Sequence, residues 1–190
     1  QSAWSSGKNI KGFVRLKTML YKTRTYIAAD WTGDKEIVDK LREWNDSDWY
    51  ALDFSDAHDL TQARDTSLPC TIKKSLAIRL NGSKTFVLIV GKNTKNLTKG
   101  ACRYCSSYNS AWGICHRGNN VDHRSYIQFE CEKAIKDGMK IVVIYNYANV
   151  DKSKCPDCIK NYGVHIPAYY KAIDGKYYWN IAEIRKAING

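Results

Sequence analysis

Thr85-Phe-Val-Leu-Ile-Val90, closed by Gly91-Lys92, is the stretch on which the fold turns. It holds no charge and shows no polar alternation, so neither face is meant for water. Such a run reads as the central strand of a parallel sheet covered on both sides. Lys140-Ile-Val-Val-Ile-Tyr145 has the same character. Thr25-Tyr-Ile-Ala-Ala29, ending at Asp30, is a shorter buried run, and Trp49-Tyr-Ala-Leu-Asp-Phe54 is a further strand candidate.

Helical patterns lie between these runs. Ile37, Val38, Leu41 and Trp44 recur at helical spacing after the helix-starting residues Thr32-Gly-Asp34. Ile72, Leu76 and Leu80 repeat every four residues and stop at Asn81-Gly82. Ser125 and Gln128 form a capping box for a helix that Gly138 closes. An extended stretch at 164–169 and a helix from Asn180 to Ile188 complete the series. Strands alternating with helices predict a three-layer α/β/α sandwich with a central parallel sheet. In such a sheet ligands bind beyond the carboxyl ends of the strands, which puts Asp30, Trp31, Asp53, Ser55 and the loop after Val90 near any site.

The chain of 190 residues is 44% hydrophobic and 26% charged, with 3 prolines and 12 glycines, which excludes a disordered or collagenous chain. No apolar run reaches the roughly 18 residues of a membrane span. Residues 1–23 read as a basic leader or arm, and 24–190 as one domain with a cysteine-bearing insertion at about 92–124. Gln1 to Lys11 holds no apolar core of a secretory signal. Together with an odd count of 7 cysteines, this makes a reducing cytoplasm the expected compartment.

Net charge is +11, an invitation to think of nucleic acid. Asp30 to Asp65, however, holds 11 acids against 4 bases, so this segment is net −7 and the rest is +18. An acidic rim around the expected site fits poorly with polyanion binding there, and a polarised surface suits self-association better. Gly91-Lys-Asn-Thr94 is no phosphate loop, because the glycine such a loop needs upstream is replaced by Phe86.

Two Cys-x-x-Cys pairs, Cys102/Cys105 and Cys155/Cys158, match the spacing of zinc knuckles, though they are far apart in sequence. Structural zinc, free thiols and disulfides all remain open. Cys70 and Cys131 read as core thiols. On the helix after Ser125, Glu130 sits at the edge of the apolar stripe one turn after Tyr126. A carboxylate there is either a partly desolvated functional group or a helix glutamate paired with a nearby base.

The runs Thr25–Asp30, Ile72–Thr94 and Ser125–Tyr145 together resemble TIR-like proteins of flavodoxin-like topology, the group containing the bacterial Thoeris antiphage-defence subunit. The resemblance covers roughly Arg24 to Tyr147. It implies prokaryotic immune signalling, with NAD as substrate, cleaved or cyclised into a nucleotide signal for a downstream effector protein. It gives Glu130 the catalytic role, with Tyr126 in the aromatic position of an aromatic-x3-Glu helix, and makes Asp30 and Trp31 walls for the nucleotide. Tyrosine stands here where many TIR domains have tryptophan, and the cysteine-bearing insertion is not a general feature of them. The same resemblance also accommodates a TIR-like module that only assembles with partners.

Overall fold

A computed structural model describes residues 23–48, 52, 54–56 and 67–190. Asp53 and all of the basic leader except Thr23 lie outside the described residues. In chain order the elements are β1 (Thr23–Ala28), α1 (Lys35–Asp46), β2 (Phe54–Asp56), α2 (Pro69–Asn81) and β3 (Thr85–Val90). They continue with β4 (Tyr108–Asn109), β5 (Ile114–Cys115), α3 (Tyr126–Lys136) and β6 (Lys140–Tyr145). The chain ends with β7 (Val164–Pro167), β8 (Tyr169–Lys171), β9 (Tyr177–Trp179) and α4 (Ile181–Asn189).

The main sheet has five parallel strands in the order β2-β1-β3-β6-β7. Counting only its own strands, that is 2-1-3-4-5, the flavodoxin-like order, whose crevice opens between the first and third strands. β3 lies in the middle, paired from Thr85 to Val90 with Lys140 to Tyr145 of β6 and from Thr85 to Leu88 with Thr25 to Ala28 of β1. Every residue of β3 is buried.

Side-chain alternation along the strands divides the core in two. Tyr26, Ala28, Phe86, Leu88, Val90, Val143 and Tyr145 pack with Leu76 and Leu80 of α2 and Ile127, Cys131 and Ala134 of α3. Ile27, Val87, Ile89, Val142 and Ile144 pack on the opposite face with Ile37, Val38, Leu41 and Trp44 of α1 and Ile184 and Ile188 of α4. The continuous apolar run of β3 thus serves two separate helical layers, as expected of a central strand.

Local signals set the helix starts. Pro69 occupies the first turn of α2, where a missing N–H costs nothing. The Ser125 side chain accepts from the Gln128 amide at the start of α3. Three expectations shift. β1 begins at Thr23, two residues early, because Thr23 to Thr25 pair with Phe54 to Asp56. β2 shares Phe54 with its expected run and continues past it to Asp56, while Trp49, Tyr50, Ala51 and Asp53 lie outside the described residues. The stretch at 164–169 is not one strand, since Ala168 leaves it to bond Tyr145 and Asn180 through its backbone. β8 then pairs with β9 in a separate hairpin. The insertion is built of two 3-10 turns, at Thr94–Asn96 and Cys102–Tyr104, and the β4/β5 hairpin. Among the described residues no helix is long and apolar enough to cross a membrane.

Because Leu88 is fully buried at the centre of this arrangement, Leu88→Ala removes packing that no neighbour can replace. Urea unfolding should show a loss of about 2–5 kcal/mol. A loss below about 0.5 kcal/mol, as at an exposed position, would mean that β3 is not the centre of the core.

Candidate functional site

The crevice between β1 and β3 is formed by the loops that leave their carboxyl ends. After β1 the chain turns through Asp30, Trp31, Thr32 and Gly33, with the Asp34 amide donating to the Asp30 carbonyl at 2.7 Å. The Asp30 carboxylate accepts from the Thr32 amide. It also fills the space over Gly33, where an added Cβ would stand 2.9 Å from it. Trp31 is half-buried against the α1/α4 layer, with the Arg42 guanidinium 5.2 Å from its ring centre.

Asp34, which sequence reasoning took only as a helix starter, is the unexpected member. It holds the N-cap position of α1, yet its side chain does not cap the helix. The carboxylate instead turns across the crevice and lies directly over Gly91 at the end of β3. A Cβ on Gly91 would come within 2.0 Å of Asp34 Oδ1, so only glycine fits beneath this carboxylate. Asn146, following β6, donates to Asp34 Oδ1 at 3.0 Å, and Tyr169 of β8 donates in turn to Asn146 Oδ1 at 3.4 Å. Thr94 also hydrogen-bonds the Asp34 side chain. Asp34 is only 2% exposed. Burial raises its pKa above the ordinary carboxylate value, opposed by the Asn146 and Thr94 bonds and assisted by the neighbouring Asp30 charge. The signal in the sequence was the spacing of strand end, Asp30-Trp-Thr-Gly-Asp34 and Gly91. What it could not reveal was the direction of the Asp34 side chain.

Thr94 joins this cluster to an adjoining cleft of about 190 Å3, lined by Thr94 to Leu97, Ser125, Ile127, Gln128 and Pro156 to Cys158. The cleft lies at the first turn of α3, where the helix dipole favours negative charge, while the Tyr126 and Gln128 amides are already bonded to the Lys99 carbonyl and to Ser125 Oγ.

Glu130 lies deeper. Its carboxylate accepts from the hydroxyl of Tyr26, in the middle of β1, and feels Arg79 in the last turn of α2. It is 4% exposed, and burial pushes its pKa up to about 7, against the lowering effects of Tyr26 and Arg79. The structure therefore does not bring Glu130 into the cluster of Asp30, Trp31 and Asp34. Tyr126, one turn earlier, packs over Gly100, and its hydroxyl is raised to about 12, chiefly by burial. Ser55 is in β2, opposite Arg24 of β1.

The two Cys-x-x-Cys pairs do not form one centre. Cys102 and Cys105 line a cavity with Cys70 and Cys115. Cys155 and Cys158 belong to the core beneath α3, where the Cys131 thiol donates to Cys158 and Cys155 bonds the Tyr145 hydroxyl. The expected ligands Cys102, Cys105, Cys155 and Cys158 thus lie in two different parts of the fold, one pair at this cavity and the other in the core beneath α3. Among the described residues no three His, Cys, Asp or Glu side chains already stand together as a ready metal site.

Residues 26–99 match the family model of the Thoeris protein ThsB, TIR-like domain. The matched stretch, less than half of the chain, is similar to that TIR-like domain. The family whose model matches serves antiphage-defence signalling. The matched stretch contains the crevice loops with Asp30, Asp34, Gly91 and Thr94, and ends before α3. No curated protein matches the sequence at a significant level.

The raised pKa of Glu130 fixes a sign for stability. The native state holds this proton more tightly than the unfolded chain, with its ordinary value of 4.5. Its contribution is therefore complete below about pH 4.5 and declines as pH rises through about 7. Glu130→Gln keeps an acceptor for Tyr26 and removes the titration. Between those pH values wild type should lose about 3 kcal/mol relative to the variant. A difference between the two that stays flat with pH in urea unfolding would show that Glu130 is not held as a buried acid.

Proposed function

We propose that this protein binds an NAD-type dinucleotide at the carboxyl edge of its sheet and breaks the nicotinamide–ribose bond to make a nucleotide signal. The observation that carries this reading is Thr94, which links the buried Asp34 carboxylate to the cleft at the start of α3. A dinucleotide spanning that junction would place phosphates toward the positive end of α3 and a ribose toward Asp34, with Asp30 and Trp31 as its wall.

In the reaction, nicotinamide leaves with the bonding electron pair and the ribose carbon becomes oxocarbenium-like. A carboxylate close to that charge lowers the barrier. Water then adds and loses a proton, or a nucleophilic group of the same nucleotide adds and closes a ring. Glu130 is the carboxylate named by the aromatic-x3-Glu resemblance, and its retention as a buried acid supports a functional role. It can reach a substrate only after Tyr26 has released it, so an activating step belongs to this reading. Asp34 is the carboxylate already at the crevice.

Purified protein is incubated with NAD, alone and with extract of phage-infected cells, and released nicotinamide is measured. Activated wild type should turn over, and Glu130→Gln should lose about 100-fold or more. Equal turnover by the two removes Glu130 from the chemistry, and a comparable loss in Asp34→Asn moves the role there. The burial of Glu130 against Tyr26 favours a second reading, in which the pair only shapes the core and the domain is an assembly module. Concentration-dependent oligomers without NAD turnover under activation would select that reading.

A further inference from the structure

The insertion between β3 and α3 is held together by something other than apolar burial. Its hairpin strands have two residues each, too short to be stable alone. Its large apolar side chains face outward: Trp112 is 78% exposed, Tyr104 66% and Ile114 51%. A loop of this length without a core of its own is ordinarily fastened by a cross-link or a metal.

Four cysteines supply such a fastening. Cys70, in the first turn of α2, Cys102 and Cys105, at either end of a 3-10 turn, and Cys115, in β5, line one cavity of about 10 Å3. That is room for about one water-sized sphere. The other lining residues are Leu68, Pro69, Tyr108, Asn119 and Asn120, and none of these carries a charge.

The local geometry is that of a thiolate knuckle. The Cys105 amide donates to the Cys102 carbonyl and closes the Cys-x-x-Cys turn. The Asp122 amide donates to Cys102 Sγ at 3.2 Å. β4 and β5 pair Tyr108 with Cys115, and the Tyr108 amide bonds the Cys105 carbonyl, so the hairpin returns Cys115 to the knuckle. Behind the site, the buried Lys73 ammonium bonds the Asp122 and Arg124 carbonyls and lies within electrostatic reach of Cys102. Its charge is shared with the Asp122 carboxylate, 3.2 Å away.

We propose that Cys70, Cys102, Cys105 and Cys115 form a tetrahedral site for a soft divalent cation, zinc, that pins the insertion to the start of α2. The four thiols as they stand do not yet form a metal-holding group, so binding requires rotation about their single side-chain torsions to the Zn–S distance of about 2.3 Å that such a site needs. Binding exchanges thiol protons for the ion and involves no oxidation. This ligand set takes one cysteine pair from the sequence motif and replaces the other with two residues brought near by folding.

The full chain is purified under reducing conditions without added metal and analysed for elements. About one zinc per chain is expected. Cobalt exchanged into the site should give the visible bands of a tetrahedral centre and a near-ultraviolet thiolate charge-transfer band. Alkylation of wild type mapped by mass spectrometry, with and without chelator, should show these four cysteines unmasked together when metal is removed, a readout that needs no variant. In folded variants, Cys105→Ser and Cys115→Ser should hold less than about a tenth of an equivalent, while Cys158→Ser keeps its metal. Zinc below about a tenth in wild type with no cobalt bands overturns the proposal. So does chelator-independent alkylation of the four, metal retained by the Cys105→Ser/Cys115→Ser double variant, or a disulfide among them in freshly isolated protein.

Discussion

A strand with no face for water has to find two neighbours for its backbone and two layers for its side chains. β3 is that strand, and its demands organise the rest. β1 and β6 take up its amides and carbonyls. α2 and α3 cover one of its faces, α1 and α4 the other. An unpaired backbone group at this depth would cost more than any surface interaction returns. The placement of the crevice follows, since β1 and β3 are adjacent while their following helices leave to opposite sides.

Much of this was legible in the residues. The apolar runs of β3 and β6 announced a parallel sheet, and Ser125 marked the start of α3 one residue ahead of its first turn. What composition could not convey was where polar side chains turn. Asp34 stands in a helix-cap position by every local sign, but the gap over Gly91 and the amide of Asn146 draw its carboxylate away from the helix. Glu130 was placed at the edge of an apolar stripe, whereas the hydroxyl of Tyr26, remote in sequence, allows it to be nearly fully buried. The grouping of the cysteines is hidden from the sequence for a similar reason. Spacing joins residues that are near in sequence, while the sheet delivers Cys155 and Cys158 to one part of the core and gathers Cys70 and Cys115 around the other pair.

The two buried acids share a physical character despite their different places. Each is raised by desolvation and steadied by a neutral donor, Tyr26 for Glu130 and Asn146 for Asp34. Among the described residues neither is in a close ion pair that would keep it strongly ionised. Groups of this kind are costly to retain in a core, and a sequence selected for stability alone would replace them with apolar residues of similar volume.

The close approach of Asp34 to Gly91 has an evolutionary consequence. Any side chain at position 91 collides with the carboxylate, so the glycine can be replaced only in a lineage where position 34 has already become smaller. A chain that has lost the carboxylate is, conversely, free to drift at 91. The two positions form an epistatic pair, and their joint state separates lineages that still keep an acid in the crevice from those that have closed it.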